Sequence, residues 1–189
     1  VKFPKVITGL FLGFMYGTSL LSGADASIRP VTPDPSPAVG DLLQFLYGIS
    51  GKHTLVGQHC APLLGSTRLV GAYKLTKHYP ALFGQDFGFS APGTWDGINF
   101  RQQLVDEAIR RHAEGFIITL MWHAVRPIED EPVEFESSIQ GKLTDQQWQD
   151  LITPGTEINE RWKSQVDVIA SYLKQLRDAG VPVGGPITR

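Results

Sequence analysis

Residues 99–122 read NFRQQLVDEAIRRHAEGFIITLMW, and this stretch decides the fold class. Phe100, Leu104, Ala108 and Ile109 recur near one face at helical spacing, which predicts a helix over 99–114. Gly115 punctuates it. Phe116 to Trp122 is then mostly apolar, as expected of a strand buried on both faces. A helix feeding straight into such a strand is the repeating piece of a parallel α/β sheet.

The same alternation continues outward. Upstream, Thr54–Gln58 reads as a strand, Leu69–His78 as a helix stopped by Tyr79-Pro80, and Ala81–Phe87 as a second strand. A short helix over Asp41–Tyr47, ended by Gly48, precedes them. Downstream, Thr156–Ala179 reads as a long helix. Its stripe is Ile158, Trp162, Val166, Ile169, Leu173 and Leu176, which by itself indicates core packing and no function. Gly180 is placed to cap it, and Val181-Pro182-Val183 opens another strand. Two closures fit this order, an open doubly wound sheet and a barrel. Gly57-Gln58-His59 is not a Gly-rich phosphate loop, which counts against nucleotide binding. No internal repeat of fixed period is visible.

The chain has 189 residues, 42% of them hydrophobic and 19% charged, so it can bury a core. Its 17 Lys and Arg against 19 Asp and Glu argue against electrostatic binding to nucleic acid or an anionic membrane. Its one Cys, Cys60, rules out a disulfide within the chain and a Cys-rich zinc site. Lys2 and Lys5 precede an uncharged apolar run, Val6–Leu21, and Ala24-Asp25-Ala26 has the form of a signal-peptidase site. Residues 1–26 are therefore expected to be a signal peptide, 27–37 a Pro-rich linker, and 38–189 the folded domain of a secreted or periplasmic protein. No later segment reads as membrane-spanning.

In parallel α/β folds the working residues stand at the carboxyl ends of strands. Here those ends are Gln58-His59, Gln85-Asp86 and Trp122-His123. Each also has a structural reading, as a hydrogen-bonded strand end or a cap. His53, His59, Asp86 and His123 lack the His-x-His or His-Glu-x-x-His spacing of a metal site, and no metal or other cofactor is expected. His59 and Cys60 point to opposite faces of a strand, which argues against a nucleophile pair. Arg110-Arg111-His112 reads as a solvated helix face. The five carboxylates of Glu129, Asp130, Glu131, Glu134 and Glu136 read as a solvated loop, because paired catalytic acids normally come from separate elements.

Five segments in register resemble glycoside hydrolase family 26, the β-mannanases. They are Gly51-Lys52-His53-Thr54-Leu55-Val56-Gly57-Gln58, Pro80 through Asp86, Ile118 through His123, Gly155-Thr156-Glu157-Ile158-Asn159, and Leu176 through Val183. The resemblance covers Gly51 to Val183. It implies a (β/α)₈ TIM barrel, of which this chain carries about the first half, since a full barrel takes about 250 residues. It also implies a retaining endo-β-1,4-mannanase acting on β-mannan or a related polysaccharide. Such an enzyme uses two Glu side chains roughly 5–5.5 Å apart. In the family the acid/base follows the fourth strand in a Trp-Arg-Pro-x-His-Glu motif, and the nucleophile comes near the seventh.

Neither Glu is matched here, so the resemblance implies a chain inactive as written. After Val183 it reads Gly184-Gly185-Pro186-Ile187-Thr188-Arg189. One set of codons for Trp-Arg-Pro-Tyr-His-Glu-Met-Asn is TGG CGG CCC TAT CAC GAG ATG AAC. Read from the second base, it gives Gly-Gly-Pro-Ile-Thr-Arg-stop. A frameshift just before the acid/base Glu is the expectation, and sequencing the DNA after the Val183 codon tests it. From the matched positions, His123 and Trp122 are implied to contact the sugar near the cleavage point, with Gln58, His59 and Asp86 as weaker rim candidates. Ala124 stands where the family often has an aromatic. Two alternatives remain: a non-catalytic carbohydrate-binding protein using Trp95, Trp122 and the rim, and an unrelated α/β domain.

Overall fold

The computed structural model describes residues 29–184. The signal-peptide reading of 1–26 and the reading of the tail beyond Gly184 lie outside them. The elements run α1 (Pro37–Ile49), β1 (Gly57–Cys60), α2 (Thr67–Thr76), β2 (Leu82–Asp86), α3 (Arg101–Ala113), β3 (Ile117–Met121), α4 (Asp145–Ile152), α5 (Glu157–Asp178) and β4 (Val183–Gly184). The four strands pair in parallel in the order β1-β2-β3-β4. Each strand thus lies beside its sequence neighbour, with helices as the crossovers.

Local chemistry explains most boundaries. Pro37 occupies the first turn of α1, where its missing N–H is no loss. Lys77 ends α2 in a left-handed conformation, at φ 61°. The Thr144 hydroxyl accepts from Gln147 N at 3.2 Å, and Gln147 Oε1 accepts from Thr144 N at 2.9 Å, a capping box that starts α4. Thr156 caps α5 through Asn159 N. At its other end Gly180, at φ 72°, lets the Gly180 and Val181 N–H groups return to Arg177 O and Leu176 O.

Strand parity divides the sheet into two faces. Cys60, Phe83, Ile118 and Leu120 point to the helices. They pack with Leu69, Leu104, Val105, Ala108, Ile169 and Leu176 in the hydrophobic core. Gly57, His59, Leu82, Gly84, Asp86, Ile117, Thr119, Met121 and Gly184 take the opposite parity and line the inner side of the arc. Gly84 keeps that side open. A Cβ there would stand 3.1 Å from His59 Nδ1 and 3.2 Å from Thr119 Oγ1.

Three expectations are corrected. The first strand is Gly57–Cys60 and not Thr54–Gln58, because its ladder with β2 begins only at Gly57, opposite Leu82. The third strand is not buried on both faces: Ile118 and Leu120 are buried while Ile117, Thr119 and Met121 are half-buried. Arg111 is not solvated. Its side chain is 5% exposed, and its guanidinium donates to Ser66, Glu107 and Glu114 and lies 5.6 Å from the Phe116 ring centroid.

Candidate active site

The inner face of the arc delivers three polar side chains to its carboxyl end. Asp86 is the last residue of β2 and is 3% exposed. Its Oδ1 accepts from Gly88 N at 2.8 Å, and its Oδ2 lies 2.7 Å from His123 Nδ1. A carboxylate oxygen accepts, so Nδ1 carries the proton and Nε2 is left as the ring's other polar atom. Nε2 has no hydrogen-bond partner among the described residues, and the His123 side chain is 28% exposed. The imidazole is therefore fixed from behind and open in front.

Aromatic rings steer it further. Phe89 and Phe135 meet the His123 ring edge-on at centroid distances of 5.6 and 5.7 Å, and the two phenyl rings lie 5.7 Å apart. Phe89 follows β2, while Phe135 opens a π-helical turn, Phe135–Ile139, in the loop after β3. The Val133 N–H donates to Phe89 O at 2.9 Å and ties these loops together.

Asp96 joins the cluster from the β2–α3 loop. Burial pushes its carboxyl above the usual range, and the Asp86 charge adds to that; His123 and His59 act in the opposite direction. Sequence reasoning missed Asp96 because it lies in a loop ten positions beyond the strand end. Its one signal was its place in the Gly93-Thr94-Trp95-Asp96-Gly97 turn.

The sequence-derived candidates thus separate by parity. His59, Asp86 and His123 share the inner side. Trp122 turns the other way: it is buried and stacked on Trp162 of α5, with centroids 5.6 Å apart and planes at 15°. Gln58 also has the outward parity, and its amide donates to His59 O at 2.7 Å. His53 precedes β1, so it sits at the amino end of the strands and apart from the cluster.

Parts of the acidic loop are engaged and not solvated. Arg101, itself 5% exposed, donates to Phe87 O, Gly88 O and Glu131 Oε1. It clamps the loop after β3 onto the loop after β2. Glu129 is held by Arg126 and by the Ser138 hydroxyl. No glutamate stands at the end of any of the four strands. Among the described residues, no group of three or more His, Cys, Asp or Glu is placed to hold a metal ion.

The described strands thus form a parallel sheet with a carboxylate–imidazole pair at the carboxyl end of one face. The sequence profile of glycosyl hydrolase family 26 matches residues 31–184. The chain belongs to glycosyl hydrolase family 26. Solved structures place the family-26 chain among (β/α)₈ barrels. GH26A from Muricauda sp. MAR_2010_75 is 35% identical with a TM-score of 0.76, over 82% of this chain and 49% of that one. A β-mannanase from a symbiotic protist of the termite Reticulitermes speratus, complexed with gluco-manno-oligosaccharide, is 29% identical with a TM-score of 0.70. That match covers 84% of this chain and 51% of that one. A ruminal GH26 endo-β-1,4-mannanase shares the fold, with a TM-score of 0.65 at 22% identity, over 84% of this chain and 34% of that one. The chain spans about half the length of the first two and about a third of the last. None of the curated proteins compared with it matches.

Proposed function

We propose that residues 29–184 form the sugar-positioning part of a β-mannan-cleaving enzyme. The observation that carries this is the Asp86–His123 pair, at 2.7 Å on the inner side of the strand ends. The Nε2 atom, without a hydrogen-bond partner among the described residues, accepts a hydrogen bond from a sugar hydroxyl while the ring is neutral. Phe89 and Phe135 hold the ring in place and leave the hydroxyl no alternative partner on those sides. His59 and Asp96 supply further polar groups along the same rim.

Hydrolysis with retention needs one carboxyl to protonate the leaving oxygen and a second to attack the anomeric carbon. The described strand ends offer Asp86 alone, and it is spent on Gly88 N and His123. The ends of the four described strands therefore do not supply the pair of carboxyls that cleavage needs. The 189-residue chain is expected to bind β-1,4-linked mannohexaose without cutting it. Titration followed by nuclear magnetic resonance, with product analysis by chromatography, checks both halves. Release of shorter oligosaccharides by this chain alone would overturn the division of labour. Failure of the hexasaccharide to perturb the His123 ring would overturn the sugar site.

A further inference from the structure

Arg101 opens α3 and is buried. A guanidinium keeps its charge, so inside a protein its N–H groups must find acceptors. Nε donates to Phe87 O at 2.9 Å. One terminal nitrogen donates to Gly88 O at 2.9 Å and to Glu131 Oε1 at 2.7 Å. The charge is thus met by Glu131, in the loop after β3. The other two bonds go to the backbone just behind the Asp86–His123 pair. Taken alone, this pattern is a clamp between loops. What the bonded backbone holds on its far side makes it more than that.

The Phe87 carbonyl and the Gly88 N–H belong to one planar peptide unit. Arg101 Nε holds its oxygen, and its N–H donates to Asp86 Oδ1 at 2.8 Å. Rotation of that peptide would break both bonds together. A donor on the carbonyl also polarises the peptide, which strengthens its N–H as a donor to the carboxylate. The next peptide is held the same way: Gly88 O accepts from Arg101, and Phe89 N donates to Asp96 O at 2.9 Å. Gly88 sits between them at φ 70°, and a Cβ there would stand 2.5 Å from Asp96 O. Two fixed peptides therefore aim one N–H at Asp86, whose other oxygen takes the His123 Nδ1 proton.

We propose that Arg101 is a positioning residue for His123, acting through the Phe87–Gly88 peptide and the Asp86 carboxylate. Because Glu131 meets the guanidinium charge, the seating of the loop after β3 reaches the imidazole by the same route. The effect on sugar binding rests on the sugar-site reading above; the effect on the ring itself does not. Arg111 supplies the contrast. It lies further along α3 and is as deeply buried, but its guanidinium donates to the side chains of Ser66, Glu107 and Glu114, away from the strand ends.

Long-range nitrogen–proton correlation spectra of the full chain test this, with the His123 signals assigned by their loss in His123→Ala. Arg101→Lys keeps the charge but not the planar fork, so it cannot hold Phe87 O, Gly88 O and Glu131 at once. It is expected to lower the share of Nδ1–H on His123. It is also expected to weaken mannohexaose binding about fivefold, the scale of coupling within one hydrogen-bond network. Glu131→Gln, which leaves Arg101 in place, is expected to move the same signals in the same direction by less. Arg111→Lys, compared at a temperature where the variants are folded, is expected to cost stability and leave those signals where they are. His123 signals unmoved in both Arg101→Lys and Glu131→Gln, or moved equally by Arg111→Lys, would overturn the positioning role. If Arg101→Lys does not fold, Glu131→Gln decides alone. Shifted His123 signals in a chain that binds no mannohexaose would overturn the sugar-site reading and leave the positioning role standing.

Discussion

An imidazole backed by a buried carboxylate has one tautomer and one orientation, and both come from Asp86. The buried side chain accepts from Gly88 N with one oxygen and from His123 Nδ1 with the other, so it cannot turn without losing two hydrogen bonds. In Asp86→Asn the amide can present N–H to Nδ1, which favours the proton on Nε2. The wild-type ring is expected to show Nδ1–H, and the variant a shift toward Nε2–H with mannohexaose affinity about tenfold lower. Long-range nitrogen–proton correlation spectra of the imidazole distinguish the two; an unchanged tautomer in the variant would refute the assignment. At this scale the sequence was half legible. Polar dipeptides at strand ends marked the right places, but which member faces inward depends on strand parity. His123 and Trp122 differ by one position and by the whole thickness of the sheet. Asp96 was out of reach, since only the folded turn returns it to Asp86.

At the scale of elements, the back of α3 is welded to the start of α2 by charge. Burial pushes Glu107 up, but hydrogen bonds from Arg110 and Ser66 and the Arg110 and Arg111 charges outweigh it. The carboxyl is held below its ordinary value. A depressed folded-state value adds stability above the unfolded pKa, near 4.3, and loses it as pH falls through the folded value. Glu107→Gln is expected to cost about 1–2 kcal/mol at pH 7 after allowance for solvent screening, and almost nothing once wild-type Glu107 is protonated. Urea unfolding at pH 7, 5 and 3 checks this, and an equal cost at all three would contradict it. The helices with strong apolar stripes, α3 and α5, were readable from spacing. In α5 the stripe buries Ile169 and Leu176 fully, while Val166 stays exposed. Helix α4 was missed because Asp145–Ile152 is mostly polar, though the Thr144-x-x-Gln147 capping box announced it. The first strand was misplaced because Leu55 and Val56 look like strand residues, yet Val56 is 66% exposed and precedes the ladder.

At the scale of the whole molecule, the described sheet buries its helix-facing side in the core and leaves its other side half-buried. Among the described residues, β1 pairs only with β2, and β4 only with β3. Helix α1 buries no residue, and Phe45, Leu46 and Tyr47 stand exposed on it. The outer edges of β1 and β4, together with half-buried Ile117 and Met121 on the inner side of β3, favour self-association. The 189-residue chain is expected to form dimers or larger species as concentration rises into the tens of micromolar. Ile117→Lys, which charges the inner face without touching the core, is expected to reduce this. Sedimentation velocity over a dilution series decides, and a monomer at every concentration would count against it. The fold class was legible because strand–helix alternation admits few arrangements. The inner surface was not, because parity and register must be known before any residue can be assigned to it.

The strand order has one more consequence. Among the described residues, β2, β3 and β4 each dock on the strand made just before, so none of these three pairings waits for a distant partner. Each new β/α unit can add to the growing edge as it leaves the ribosome, so synthesis and assembly run in the same direction.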